Sequence, residues 1–185
     1  ETLIKESREA EGHTKDEAIM ILNHKRALDY ILESKEQFKT LKSTQVRAIH
    51  SLLIKDLGIP DDFRSILVRI TGKNYQPLDN KFQIEDVVKK IVEMINNEEN
   101  PAVKALLAVA FISYTQPFVD GNKRTSRLIA NALLLANDWC PMSLRSMDET
   151  AYKKAMILFY EQNSLDHLKQ LFIEQFEFAV ENYFG

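Results

Sequence analysis

The residues best suited to chemistry sit together in Gln116-Pro117-Phe118-Val119-Asp120-Gly121-Asn122-Lys123-Arg124-Thr125-Ser126-Arg127, a polar, glycine-containing stretch between the two most hydrophobic segments of the chain. Gly121 lets the backbone approach a ligand closely. A helix starting at Asn122 would leave the N–H groups of Asn122 to Thr125 unpaired at the positive end of its dipole, which is an anion-binding arrangement. Arg124 and Arg127 would share a helix face, so their two guanidinium forks can meet neighbouring phosphates. Asp120 adds a hard oxygen suited to Mg²⁺ beside those phosphates. The plainer alternative is that Asp120-Gly121-Asn122 is only a turn with a helix cap and that the arginines are solvated. Taken alone, so short a segment leaves both open.

The elements that must hold this segment read as helices. Glu1 to Glu11 is a short polar helix candidate with Gly12 at the place of a left-handed cap. Thr14-Lys15-Asp16-Glu17 has capping-box spacing and opens a helix to about Glu33, with Ala18, Ile21, Leu22, Leu28 and Ile31 on its apolar face. A further helix is expected from about Ser43 to Asp56, with Val46, Ile49, Leu52 and Leu53 inward. Between Phe63 and Pro77 the period changes: Ile66 to Thr71 is β-branched and partly alternating, and Gly72-Lys73-Asn74 is a turn candidate, which predicts one short hairpin or extended flap. Helical spacing resumes over Ile84 to Asn96. Asn100-Pro101 then supplies a cap and a proline at the first helical position, ahead of the apolar stripe Val103, Leu106, Leu107, Ala110, Phe111 and Tyr114. The helix from Asn122 is apolar on most sides after its first turn and is expected to be the most buried. Asp148 caps a last pair, Glu149 to Gln162 and Ser164 to Asn182.

Composition bounds the rest. The 185 residues suit about one domain. With 45% hydrophobic and 28% charged residues the chain reads as an ordinary globular protein, and 5 Gly with 5 Pro favour long helices over many strands and turns. The 24 basic and 27 acidic side chains leave a net charge of −3, so no global positive field draws the protein to nucleic acid or anionic lipid. Any anion has to be captured locally. The single Cys140 cannot form an internal bridge, and the start has no signal-peptide pattern, so a cytoplasmic location with no membrane partner is expected. Opening on Glu1 rather than Met fits a fragment or a processed chain.

The 116–127 stretch resembles the Fic family signature, His-Pro-Phe-x-Asp/Glu-Gly-Asn-Gly/Lys-Arg-x-x-Arg, at every specified position except the first. The context is similar too: Pro101 to Tyr114 resembles the helix leading in, Phe63 to Pro77 the family's flap with Arg64, Gly72 and Tyr75, and the helices after Asp148 its C-terminal part. The resemblance implies an all-α fold, a compact Fic-type helical bundle with one short β-hairpin flap, as a single domain over 1–185. It implies transfer of AMP from ATP to a hydroxyl of a target protein, with Mg²⁺ held by Asp120. Gly121, Asn122 and Lys123 would cradle phosphates with the loop amides, Arg124 and Arg127 would clamp the β and γ groups, and Phe118 would anchor the loop. The flap, through Val68, Ile70, Gly72 and Tyr75, would hold the target backbone like an added strand.

The departure is Gln116, where the family has a histidine that takes the proton of the attacking hydroxyl. An amide cannot do that at neutral pH, and losing a general base costs roughly 10²- to 10⁴-fold in rate. His13, His24, His50 and His167 are the available substitutes, none within the motif; His50 reads more readily as a helix-packing histidine. Ser7-Arg8-Glu9-Ala10-Glu11-Gly12 is similar to the inhibitory Ser/Thr-x-x-x-Glu-Gly/Asn motif of one Fic class. By that resemblance Ser7, Glu11 and Gly12 form an inhibitory helix over 1–12, in which Glu11 pairs with Arg127 and denies it to the γ-phosphate. The expectation is therefore an autoinhibited adenylyltransferase weakened by Gln116. The alternatives are a non-catalytic nucleotide-binding module and, since Lys123 also occurs in the related Doc kinases, phosphoryl transfer. A homodimer is kept as an option, and a helical nucleic-acid regulator is disfavoured by the acidic balance.

Overall fold

The structure is a computed structural model that describes residues 15–67, 77–143 and 148–184. The inhibitory stretch with Ser7, Glu11 and Gly12, the cap at Thr14, and the flap residues Val68, Ile70, Gly72 and Tyr75 lie outside the described residues.

Among the described residues seven α-helices follow in order: α1 (Lys15–Glu33), α2 (Ser43–Ile54), α3 (Lys81–Asn97), α4 (Pro101–Thr115), α5 (Asn122–Ala136), α6 (Glu149–Gln162) and α7 (Asp166–Ala179). Their starts follow from local chemistry. Asn80 Oδ1 accepts from the Phe82 and Gln83 amides at the head of α3, and Asn100 Oδ1 does the same for Ala102 and Val103 ahead of α4. Asp148 Oδ1 accepts from the Ala151 N–H at 2.6 Å and caps α6.

The most extensive packing in the fold is α4 against α5. Small residues such as Ala105, Ala108 and Ala132 let the two approach, while Ile112, Leu128, Ile129 and Leu133 fill the gap; all are fully or almost fully buried. Burying one such large aliphatic side chain stabilises the fold by about 1.5–3 kcal/mol. A buried Ser113 Oγ to Ser126 Oγ bond of 3.0 Å ties the two helices at the end nearest their connecting loop. α1 and α2 pack on α5, α3 on α4, and α6 and α7 against each other and α4. A 3₁₀ turn, Lys35–Lys39, tucks Phe38 into the same core.

Some local expectations give way to tertiary structure. Ile21, placed on the apolar face of α1 by spacing, is 49% exposed. Asn23 points inward instead, because its Nδ2 donates to the Leu53 and Lys55 carbonyls at the end of α2, 3.3 and 2.6 Å away, which that helix cannot satisfy itself. No strand forms among the described residues: Ile66 and Leu67, expected at the start of the hairpin, are exposed in irregular backbone. The last helix starts at Asp166 rather than Ser164 and passes at Val180–Phe184 into a π turn. Among the described residues, no helix is long and apolar enough to cross a membrane.

Candidate functional site

The loop from α4 to α5 begins at Gln116, which is left-handed (φ 48°, ψ 56°) and donates its N–H to the Ile112 carbonyl at 3.1 Å. A non-glycine residue in that conformation needs support, and the side chain provides it. Gln116 Nε2 donates to the Ser113 carbonyl at 2.6 Å, and Oε1 accepts from Asn122 Nδ2 at 3.2 Å. Tyr160 Oη donates to the same Ser113 carbonyl at 3.1 Å. Burial, reinforced by the neighbouring Tyr152, pushes the Tyr160 hydroxyl well above its ordinary range against a hydrogen bond with Gln116, so it stays a neutral donor.

Arg64 fastens the described stem of the flap to this loop. It is 2% exposed, and its guanidinium donates to the carbonyls of Gln116 (2.6 Å), Thr115 (3.3 Å) and Ile66 (2.8 Å), while its N–H donates to Pro117 O at 3.0 Å. Two of those carbonyls belong to the negative end of α4, where a buried cation is well placed.

Phe118 is the loop's anchor, fully buried against Phe63 and stacked flat on His50, with ring centroids 3.6 Å apart and planes 4° from parallel. Asn122 closes the loop: Oδ1 accepts from the Phe118 N–H at 2.9 Å and Nδ2 donates to the Phe118 carbonyl at 2.8 Å. Its side chain is thus committed to the loop, leaving only its backbone N–H for a ligand. His50 Nε2 lies 3.0 Å from the Asp120 carbonyl, which can only accept, so Nε2 carries the proton. Burial holds the His50 pKa below its ordinary value, opposed chiefly by the bond to Asp120. Gly121 is left-handed (φ 80°), and a Cβ there would sit 3.4 Å from His50 Cδ2.

Gly121 also heads α5 without any side-chain cap. Its carbonyl accepts from the Thr125 N–H at 2.9 Å, which corrects the expectation that Thr125 offers an amide. Helix geometry leaves the amides of Asn122, Lys123 and Arg124 at the open end. Lys123 is exposed beside them. Arg124 reaches back to the Asp120 carboxylate at 3.4 Å, and its Nη1 is buried without a hydrogen-bond partner among the described residues. Arg127 lies over the Tyr152 ring, 5.1 Å from its centroid, and its Nε is likewise without a hydrogen-bond partner among the described residues. Thr125 Oγ1 and Tyr152 Oη share that condition. Arg127 opens on a cavity of about 670 Å³ bordered by His24, Leu28, Asn131, Met142 and Phe184. Partial burial and then the charge of Arg124 lower the His24 pKa, so His24 adds no positive charge at neutral pH.

Asp120 is the one expected metal ligand. Its carboxylate is 65% exposed, with Oδ1 accepting from the Gly121 N–H at 2.6 Å, and no cluster of acidic, histidine or cysteine side chains among the described residues could hold a metal alone. One carboxylate completed by substrate phosphates suits Mg²⁺, which keeps most of its shell as water and phosphate oxygen.

The tertiary structure therefore brings together Gln116, Asp120, Gly121, Asn122, Lys123, Arg124 and Arg127. Tyr152 beneath Arg127 was not foreseen from the sequence; its only signal is an aromatic residue in the first turn after the Asp148 cap. His24 borders Arg127, and His50 lies under the loop, while His167 is exposed on α7.

The family model of the Fic/DOC family matches residues 40–134. A probable protein adenylyltransferase of Aquifex aeolicus is 24% identical over 119 residues, covering 63% of this chain and 36% of that one. A fragment of Fic-1 from C. elegans superposes with a TM-score of 0.83 at 18% identity, over 100% of this chain and 56% of that one. BepC, a VirB-translocated effector of Bartonella tribocorum solved with bound AMPPNP, superposes with a TM-score of 0.61 at 15% identity, over 83% of this chain and 85% of that one. The chain thus spans about a third of the Aquifex relative and just over half of the nematode structure.

Proposed function

The chain belongs to the Fic/DOC family, and from that premise we propose that it is a Fic-type protein adenylyltransferase that moves AMP from ATP to a hydroxyl side chain of a target protein, restrained by Glu11 and impaired by Gln116. One observation carries this reading. The uncapped end of α5 presents backbone amides beside two arginines whose Nη1 and Nε atoms are buried without partners among the described residues. Buried polar atoms are normally satisfied, and a polyphosphate supplies the acceptors that this set lacks.

In the proposed reaction the target's hydroxyl oxygen bonds to the α-phosphorus of ATP, the bond to the bridging oxygen toward the β-phosphate breaks, and pyrophosphate leaves. The hydroxyl proton has to be taken up, and with Gln116 in the place of a base it passes to solvent water. The residues present divide that labour unequally. Arg124 and Arg127 neutralise and orient the outer phosphates, the amides of Asn122 to Arg124 hold the anion, and Asp120 would hold Mg²⁺, which supplies charge neutralisation when bound. Gln116 can donate and accept hydrogen bonds but cannot remove the proton, so turnover falls by about 10²- to 10⁴-fold while binding is spared. Glu11 acts by competition, its carboxylate and the γ-phosphate seeking the same Arg127 guanidinium. The target backbone would align along the flap through Val68, Ile70, Gly72 and Tyr75.

The decisive experiment restores Gln116→His together with Glu11→Gly and follows label from α-³²P-ATP into the protein itself. Incorporation only in the double variant is expected. Label arriving from γ-³²P-ATP instead would reassign the reaction to phosphoryl transfer. A second reading is favoured by the internal hydrogen bonding of both Gln116 side-chain atoms: a non-catalytic module that holds nucleotide. Unchanged ATP binding with no label in the double variant would select it.

A further inference from the structure

We infer that His50 is a positioning residue for the anion-binding loop: the Nε2–H of a ring stacked on Phe118, donated to the Asp120 carbonyl, sets where the Asp120 carboxylate and the first amides of α5 point. This role rests on the nucleotide-binding reading for its purpose, though not for its geometry. His50 comes from α2, far from the loop in sequence, and is fully buried.

Two features converge on one imidazole. The flat stack at 3.6 Å needs a planar ring, and the 3.0 Å contact needs a donor at the ring's edge. A phenylalanine would keep the stack without the donor; a glutamine would keep a donor without the stack. Among the described residues, His50 is the side chain that holds the Asp120 carbonyl. Asp120 itself is exposed, and its carboxylate is held by the Gly121 N–H at 2.6 Å and more loosely by Arg124 at 3.4 Å. Letting the Asp120 carbonyl rotate would turn the following peptide, the Gly121 amide with it, and the axis on which α5 opens. His50 does not serve as a stand-in base: its Nε2–H is committed to the Asp120 carbonyl, and its basic Nδ1 is buried on the side of Asp61, 4.0 Å away, in a ring sealed from solvent.

The test uses the full chain with His50→Phe and His50→Gln, reading amide hydrogen exchange and ATP affinity by calorimetry. In His50→Phe the amides of Phe118 and Gly121, which report the Asn122 and Asp120 side-chain bonds, are expected to exchange about tenfold faster or more, and ATP to bind about tenfold more weakly. His50→Gln is expected to recover part of both. If His50→Phe leaves exchange and affinity unchanged, or His50→Gln is as impaired as His50→Phe, the hydrogen bond does not position the loop and the inference fails. Exchange needs no nucleotide, so a wild-type protein that binds no ATP would sink the functional reading alone. Should His50→Phe not fold, the ¹⁵N spectrum of wild-type His50 decides. A protonated Nε2 coupled across the hydrogen bond to the Asp120 carbonyl is expected, and a protonated Nδ1 would overturn the inference.

Discussion

The two ends of the segment from Gln116 to Arg127 are treated oppositely. At Gln116 both side-chain amide atoms have internal partners, Ser113 O and Asn122 Nδ2, and Tyr160 and Arg64 close in on the same turn. At the other end Arg124 Nη1, Arg127 Nε and Tyr152 Oη are buried with no such partner among the described residues. A buried donor without an acceptor costs about 1–3 kcal/mol, so the second end has hydrogen bonds left to make toward an acceptor outside the described residues, whereas both side-chain amide atoms at the first are engaged. Under the proposed function the difference separates binding from turnover: the arginine end would take the phosphates, and Gln116 fills the place of the family's proton acceptor with a side chain bonded internally.

The sharpest way to break that contrast is at Gln116. In a Glu11→Gly background, Gln116→His is expected to raise AMP transfer by about 10²- to 10⁴-fold, with ATP affinity moved no more than about threefold, measured by label incorporation beside calorimetry. A large change in affinity would mean that the two ends are not separable. Next in size, Arg124→Ala with Arg127→Ala is expected to weaken ATP binding by about 2–3 kcal/mol, since hydrogen bonds to charged groups carry about that much. Gln116→Ala in the same calorimeter should fall well short of it.

Smaller effects sharpen the picture. Gly121→Ala meets both a positive φ and the His50 ring and is expected to cost about 1–2 kcal/mol, seen as a fall of a few degrees in Tm for a chain of this size. Tyr152→Leu removes the ring beneath Arg127 and should weaken ATP binding by about 0.5–2 kcal/mol. Smallest is the response to acid. Burial lowers the folded-state pKa of His50 and of His24 below the ordinary 6.5, so the unfolded chain takes up protons first. Stability is therefore full above about that pH and declines as pH falls toward the folded-state values. Around His50 the charged groups are Asp61, Asp120 and Arg124; a thermal melt series should flatten in acid when His50 is replaced by Gln, and an unchanged slope would assign the effect elsewhere.

Much of this could be read in one dimension. Helical spacing over Ile84 to Asn96 predicts a helix there, which Asn80 heads; Asn100-Pro101 and Asp148 announce theirs outright. Gly121 and the paired arginines marked the site. Less legible is which polar groups of that segment are bonded inside the protein. Asn122 sits in the motif, but its amide bridges Phe118 and Gln116. The place of Thr125 in the first turn allows an open amide, but the carbonyl of a left-handed Gly121 takes it up. Ile21 matched the helical period and still faces solvent, since Asn23 had carbonyls of α2 to satisfy.

Helix starts, the glycine that admits close approach and the charge of each group are local properties, carried by residue type and by neighbours within one or two turns, and the amino-acid sequence determined them unaided. Which polar groups are consumed inside and which remain for a ligand is decided by partners 52 positions away for Arg64 and Gln116 and 70 for His50 and Asp120. Such pairings depend on the relative placement of whole helices, and that placement is set by the packing of α2, α4 and α5 rather than by any local preference of the loop they enclose.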